Sequence, residues 1–64
     1  MYFLFSDDEI WHYEIHANSW RAALSQARDI FQIKGRLTLI GQNYDSREYR
    51  LSKLYRFTIK QVNN

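Results

Sequence analysis

"ANSWRAALSQARDIFQIKG", residues 17–35, decides the fold, because within it the apolar residues change their repeat from two to about 3.6. Trp20, Ala23, Leu24, Ala27, Ile30 and Phe31 fall on one helical stripe, while Arg21, Ser25, Arg28, Asp29 and Gln32 fall mainly on the other side. The spacing predicts a helix over about residues 19–34. Asn18 or Ser19 can cap its start by accepting a bond from a free backbone N–H, and Gly35 suits the left-handed position just past its end. Ala23 and Ala27 are small enough to let the helix lie close on a sheet.

Upstream, "YFLFS" (residues 2–6) is rich in β-formers, "DDE" suits a tight turn, and "IWHYEIH" (residues 10–16) alternates, which together describe a hairpin. Trp11, Tyr13 and Ile15 share one face of its second arm, and Ile10, His12, Glu14 and His16 share the other; the first is the candidate core face. Downstream, "RLTLIG" (residues 36–41) is a strand and "QNYDSRE" (residues 42–48) a hairpin connection. "YRLSKLYRFTIKQV" (residues 49–62) is one long strand or two short ones parted near Ser52–Lys53. Tyr49, Leu51, Tyr55, Phe57 and Ile59 form one face of this ribbon; Arg50, Arg56, Thr58 and Lys60 form the other. Lys53 and Leu54 break the pattern, and a bulge or turn there accounts for it, because one inserted residue resets the register. The expected fold is α+β: a single helix packed on one face of a small antiparallel sheet, in the order β-β-α-β-β, with a fifth strand if the ribbon divides.

The chain has 64 residues, enough for one domain spanning 1–64 and one core. Such a core is worth on the order of a few kcal/mol net unless a disulfide, a metal or a partner supplements it. Cysteine is absent, which excludes disulfides and thiolate metal sites, so four Phe, five Tyr and two Trp must supply the buried area. There is no proline, only two glycines and no repeat or low-complexity tract, hence no sign of a linker. No apolar run approaches the roughly 20 residues that span a bilayer, and "MYFLFSDDEI" lacks the basic start and long apolar middle of a secretory signal. A cytoplasmic protein without a membrane partner is expected.

The net charge of +2 hides an asymmetry. Residues 1–33 hold two cations, Arg21 and Arg28, against five carboxylates, a net of −3; residues 34–64 hold seven cations against Asp45 and Glu48, a net of +5. A small protein polarised in this way is suited to steering toward an anionic surface, whether nucleic acid or an acidic protein.

Catalytic and metal chemistry find little support. His12, Glu14 and His16 are usual zinc-ligand types, but strand residues four apart are separated by roughly 13 Å, too far for both histidines to reach one ion without a bend. Ser6, Ser19, Ser25, Ser46 and Ser52 lie in turns, a cap, a helix face and a strand break, with no glycine-rich elbow near them. "DDE" reads as a solvated turn, and "GRLTLIG" is no phosphate-cradling loop. One sheet and one helix also leave little volume for an enclosed site. Neither an enzyme, a metal nor a cofactor is expected.

The basic ribbon carries the binding hypothesis. Arg50, Arg56 and Lys60, with Arg36 and Lys53 nearby, can line the uncovered face or edge of the sheet and meet phosphates or a partner's carboxylates. Tyr44 and Tyr49, near the connecting turn, are candidate anchors of the kind enriched at interface hot spots. Single-stranded nucleic acid asks for aromatics and cations on one exposed face, whereas here the alternation separates them, which favours a protein partner.

"EIHANSWRAALSQARDIFQIKGRLTLIG" (residues 14–41) places a strand, a short cap, a helix carrying "LSQAR" and a strand in sequence. In this it resembles the smaller anti-CRISPR inhibitors of type I systems, phage and prophage proteins that pack one helix on a compact antiparallel sheet. The resemblance covers about residues 10–42 and transfers no binding residue to a particular position. It implies a stoichiometric inhibitor that occupies a working surface of a nucleic-acid-targeting protein complex. The C-terminal half is basic, unlike the strongly acidic inhibitors that mimic DNA, so mimicry of a phosphate backbone does not follow. Two other readings stand beside it: a small basic nucleic-acid-binding protein, and a homo-oligomer, such as a homodimer, joined through an exposed strand edge.

Overall fold

A computed structural model describes residues 2–7, 12–53 and 55–62. It is an α+β fold: β1 (Tyr2–Asp7), β2 (His12–His16), α1 (Trp20–Ile30), β3 (Thr38–Gln42), β4 (Ser46–Ser52) and β5 (Tyr55–Val62). All five strands form one antiparallel sheet in the order β2-β1-β5-β4-β3. The first and last strands therefore lie side by side, Tyr2 opposite Val62 and Phe5 opposite Ile59. The helix connects β2, at one edge, to β3, at the other.

Alternation along the strands sends Phe3, Phe5, Ile15, Tyr49, Phe57 and Ile59 to the face that α1 covers, where Ala23, Ala27 and Ile33 complete a wholly apolar buried core. Phe5 sits at its centre, stacked on Phe31 at 4.2 Å between ring centroids and on Phe57 at 5.0 Å. Phe3 meets Trp20 edge-on at 5.0 Å, and Tyr49 stacks on Phe57 at 5.5 Å. Ring pairs at these separations add to the burial of their area, which is how so short a chain without disulfides builds a core. In β2, Ile15 is buried and Tyr13 packs edge-on to Phe31 at 5.6 Å while remaining partly exposed; Trp11 and Ile10 lie outside the described residues.

The helix is shorter than its periodicity suggests. Ser19 caps it, its Oγ accepting the Ala22 N–H at 3.1 Å. At the other end Gln32, not Gly35, takes the left-handed conformation, with φ +53°. The Ile33 N–H donates to the Arg28 carbonyl at 2.9 Å and the Gln32 N–H to the Asp29 carbonyl at 3.4 Å, the paired bonds of a Schellman motif. This reversal turns Ile33 back into the core, and leaves Ile30, on the margin of the helical stripe, 43 % exposed. Gly35, at φ +109°, serves a different purpose: a Cβ there would come within 3.2 Å of Leu51 Cδ1, and its carbonyl accepts from the Arg28 guanidinium at 2.8 Å.

The ribbon of residues 49–62 divides. The turn at Lys53 separates β4 from β5, which pair with each other, and a register shift between Arg50 and Ser52 accounts for the break in alternation; Leu54 is outside the described residues. The "QNYDSRE" connection contracts to residues 43–45, closed by the Asn43 N–H donating to the Ser46 carbonyl at 2.8 Å, so Arg47 and Glu48 belong to β4. β3 starts at Thr38, two residues later than expected, and a second register shift between Leu39 and Gly41 leaves Ile40 unmatched in the ladder with β4.

Candidate functional site

The sheet face opposite α1 is built from the alternate positions of every strand, and no described element lies over it. Pairing brings its residues into rows across the sheet. Glu14, Leu4, Lys60 and Ser46 form one row; His12, Ser6, Thr58, Glu48 and Gly41 form the next; Arg56, Arg50 and Thr38 form a third near the β4–β5 turn.

That third row is the most distinctive. Arg50 and Arg56 are direct cross-strand partners and both are exposed, so their Cα atoms lie roughly 4.5–5.5 Å apart. Like charges placed opposite each other on one face disfavour the pairing. Among the described residues neither arginine has an ion-pair partner; Glu48, in the adjacent row, is the nearest carboxylate by register. Lys53, exposed in the β4–β5 turn, and Arg36, exposed two residues before Thr38, lie at the same end of the sheet. Two planar forks and two further cations thus collect where a partner's carboxylates or phosphates could meet them.

Other residues of the expected set do not join this cluster. Lys60 lies on the same uncovered face, but four residues along β5 from Arg56, roughly 13 Å away. Its Nζ is 3.9 Å from Asp45 Oδ2. Tyr49 is no anchor for a partner: at 7 % exposure it faces the core, because it has the parity of Phe57 and not of Arg50. Tyr44 is 95 % exposed in the β3–β4 turn, at the end of the sheet away from the arginine row.

Arg47 has a role that a count of cations overlooks. It shares the parity of Tyr49, so it lies on the covered side, its guanidinium carbon 4.7 Å from the Trp20 ring centroid in a cation–π contact. Its position two residues before Tyr49 is the signal that could have separated it from the outward cations.

On β2, His16 Nε2 is 3.0 Å from Glu14 Oε1, both exposed, and among the described residues no three His, Asp or Glu side chains gather as an ion would require. Two clefts open at the C-terminal end of α1, one lined by Arg28, Asp29, Gln32, Ile33 and Lys34, the other by Phe31, Gln32, Ile33, Lys34, Leu51 and Tyr55. Neither is lined by a serine or a histidine. In comparisons with known proteins, no family model, curated protein or solved structure matches this chain.

Proposed function

We propose that this chain is a non-enzymatic cytoplasmic binding protein that docks the arginine row of its uncovered sheet face on an acidic patch of a larger protein, stoichiometrically and as an inhibitor of a nucleic-acid-targeting assembly. The observation that carries the reading is the Arg50–Arg56 pair: two exposed guanidinium groups held opposite each other, with no carboxylate partner of their own among the described residues. Placing them there costs the sheet some stability, and a partner that brings negative charge removes that cost. Of the aromatics that flank the row in sequence, Tyr49 and Phe57 are buried and Tyr55 packs half-buried against the core, so none offers a free ring for a base to stack on beside the arginines, which favours protein over nucleic acid.

The test is capture from host lysate with tagged wild-type chain and with Arg50→Glu/Arg56→Glu, each with and without nuclease. A protein retained in near-equimolar amount by the wild type, resistant to nuclease and lost with the double variant, is the expected result. Retention by a double variant that keeps its far-UV spectrum removes the arginines from the reading. Loss on nuclease treatment replaces the protein partner with nucleic acid, whose binding would then weaken steeply with salt.

A further inference from the structure

Arg50 and Arg56 leave the bare face of the sheet from directly opposed positions on β4 and β5, and Thr38 of β3 continues the row on the other side of Arg50. All three are exposed. Side chains from opposed positions project in the same direction, so both guanidinium groups overhang one patch. Glu48, the nearest carboxylate by register, does not neutralise it. Its Oε1 lies over Gly41 of β3, 3.4 Å from where a Cβ would stand, on the side of β4 away from Arg56. Gly41 has no side chain to occupy that space, and no ion pair joins Glu48 to either arginine. The patch keeps two positive charges, because a guanidinium does not lose its proton in a protein.

We propose that Arg50 and Arg56, with the Thr38 hydroxyl at the end of the row, form a subsite for a single phosphorylated serine or threonine of the partner protein. The proposal rests on the arginine row being the docking surface and adds which anion that surface takes. A carboxylate brings one charge and two oxygens, both of which one guanidinium fork engages, so the charge of the second arginine stays unmatched. A phosphate monoester carries a charge of about −1.5 to −2 and three acceptor oxygens, so it bridges two forks and offsets both charges. The phosphodiester of a nucleic-acid strand brings only one charge, and no free ring beside the row holds its base. Lys53 and Arg36, exposed at the same end of the sheet, add attraction that favours the more highly charged anion.

The probe is a short peptide, otherwise uncharged, with a central phosphoserine, compared with the same peptide carrying aspartate or serine there. Each is titrated into the full chain while the arginine Nε–H signals are followed by NMR. The phosphopeptide should shift the signals of Arg50 and Arg56 and bind at least about tenfold more tightly than the aspartate peptide. Arg56→Gln should remove that margin, and so should Arg50→Lys, which keeps the charge and loses the fork. Arg56→Gln takes a like charge from opposite Arg50, so it should melt at or above the wild-type temperature, which separates lost binding from lost folding. Equal affinity for the phosphoserine and aspartate peptides, or a margin that survives either substitution, overturns the proposal. Phosphatase treatment of the host lysate before capture should release the partner. A partner that stays bound after phosphatase and still requires the arginines overturns the phosphate subsite and leaves the docking reading standing; a partner indifferent to the arginines removes that reading, and the peptide titration still decides the subsite.

Discussion

Gln32 holds the left-handed residue of the Schellman motif at φ +53°, a conformation that costs an L-residue with a side chain about 1–2 kcal/mol and glycine nothing. Glycine is also freer in the unfolded chain, which offsets about 0.4–1 kcal/mol of that difference. Gln32→Gly should therefore stabilise the fold by about 0.5–1 kcal/mol. For a domain of this size that raises the melting temperature by roughly 2–8 °C. Gln32 is exposed and its side chain makes none of the core contacts, so nothing is lost in exchange. Thermal unfolding followed by circular dichroism, with Gln32→Val as the opposite control, measures the effect. Valine is β-branched and poorly suited to positive φ, so that variant should melt below the wild type. A glycine variant that melts at or below the wild-type temperature, or a valine variant that matches it, would refute the account of how α1 ends. Gln32 follows the helix that covers the other face of the sheet from the arginine row, so Gln32→Gly should capture the same partner as the wild type.

Phe5 is fully buried between Phe31 and Phe57, and Phe5→Ala should cost about 3–5 kcal/mol, comparable to the whole stability expected of so short a chain; loss of the dispersed amide and methyl NMR spectrum would show it, and a well-folded variant would deny Phe5 its central place. Ser19→Ala should lower stability by about 1 kcal/mol in urea titration, with Ser19→Asp restoring most of it; equal midpoints for all three would mean that the Ser19–Ala22 bond carries no weight.

Much of the fold is legible in the chain because two signals are local. Hydrophobic spacing marks α1, Trp20–Ile30, and parity separates Phe57 and Ile59 from Arg56 and Lys60 before any pairing is known. What is not legible depends on how strands meet. That Arg50 lies opposite Arg56 while Lys60 stands a long way off follows from the β4–β5 hairpin and its register shift, which the letters between Ser52 and Tyr55 leave open. Tyr49 shows the same limit from the other side: its parity was plain, and its assignment to the core followed once Phe57 was its neighbour. The end of α1 was hidden for a different reason. Glycine is the usual residue of a left-handed cap, which points to Gly35, whereas Gln32 adopts that conformation because the return of Ile33 to the core outweighs the local cost.

β5, the last of the five strands in chain order, lies between β1 and β4, so the sheet has no middle until Tyr55–Val62 has been made. Until then the β1–β2 and β3–β4 hairpins can form only as separate pieces, each presenting a bare inner edge to neighbouring molecules. Closure then depends on contacts as far apart in sequence as Tyr2 and Val62, a topology that slows folding and exposes the nascent protein to aggregation. A fragment that stops short of Tyr55 keeps the helix and four strands in its sequence, yet it lacks the strand that would make them one structure.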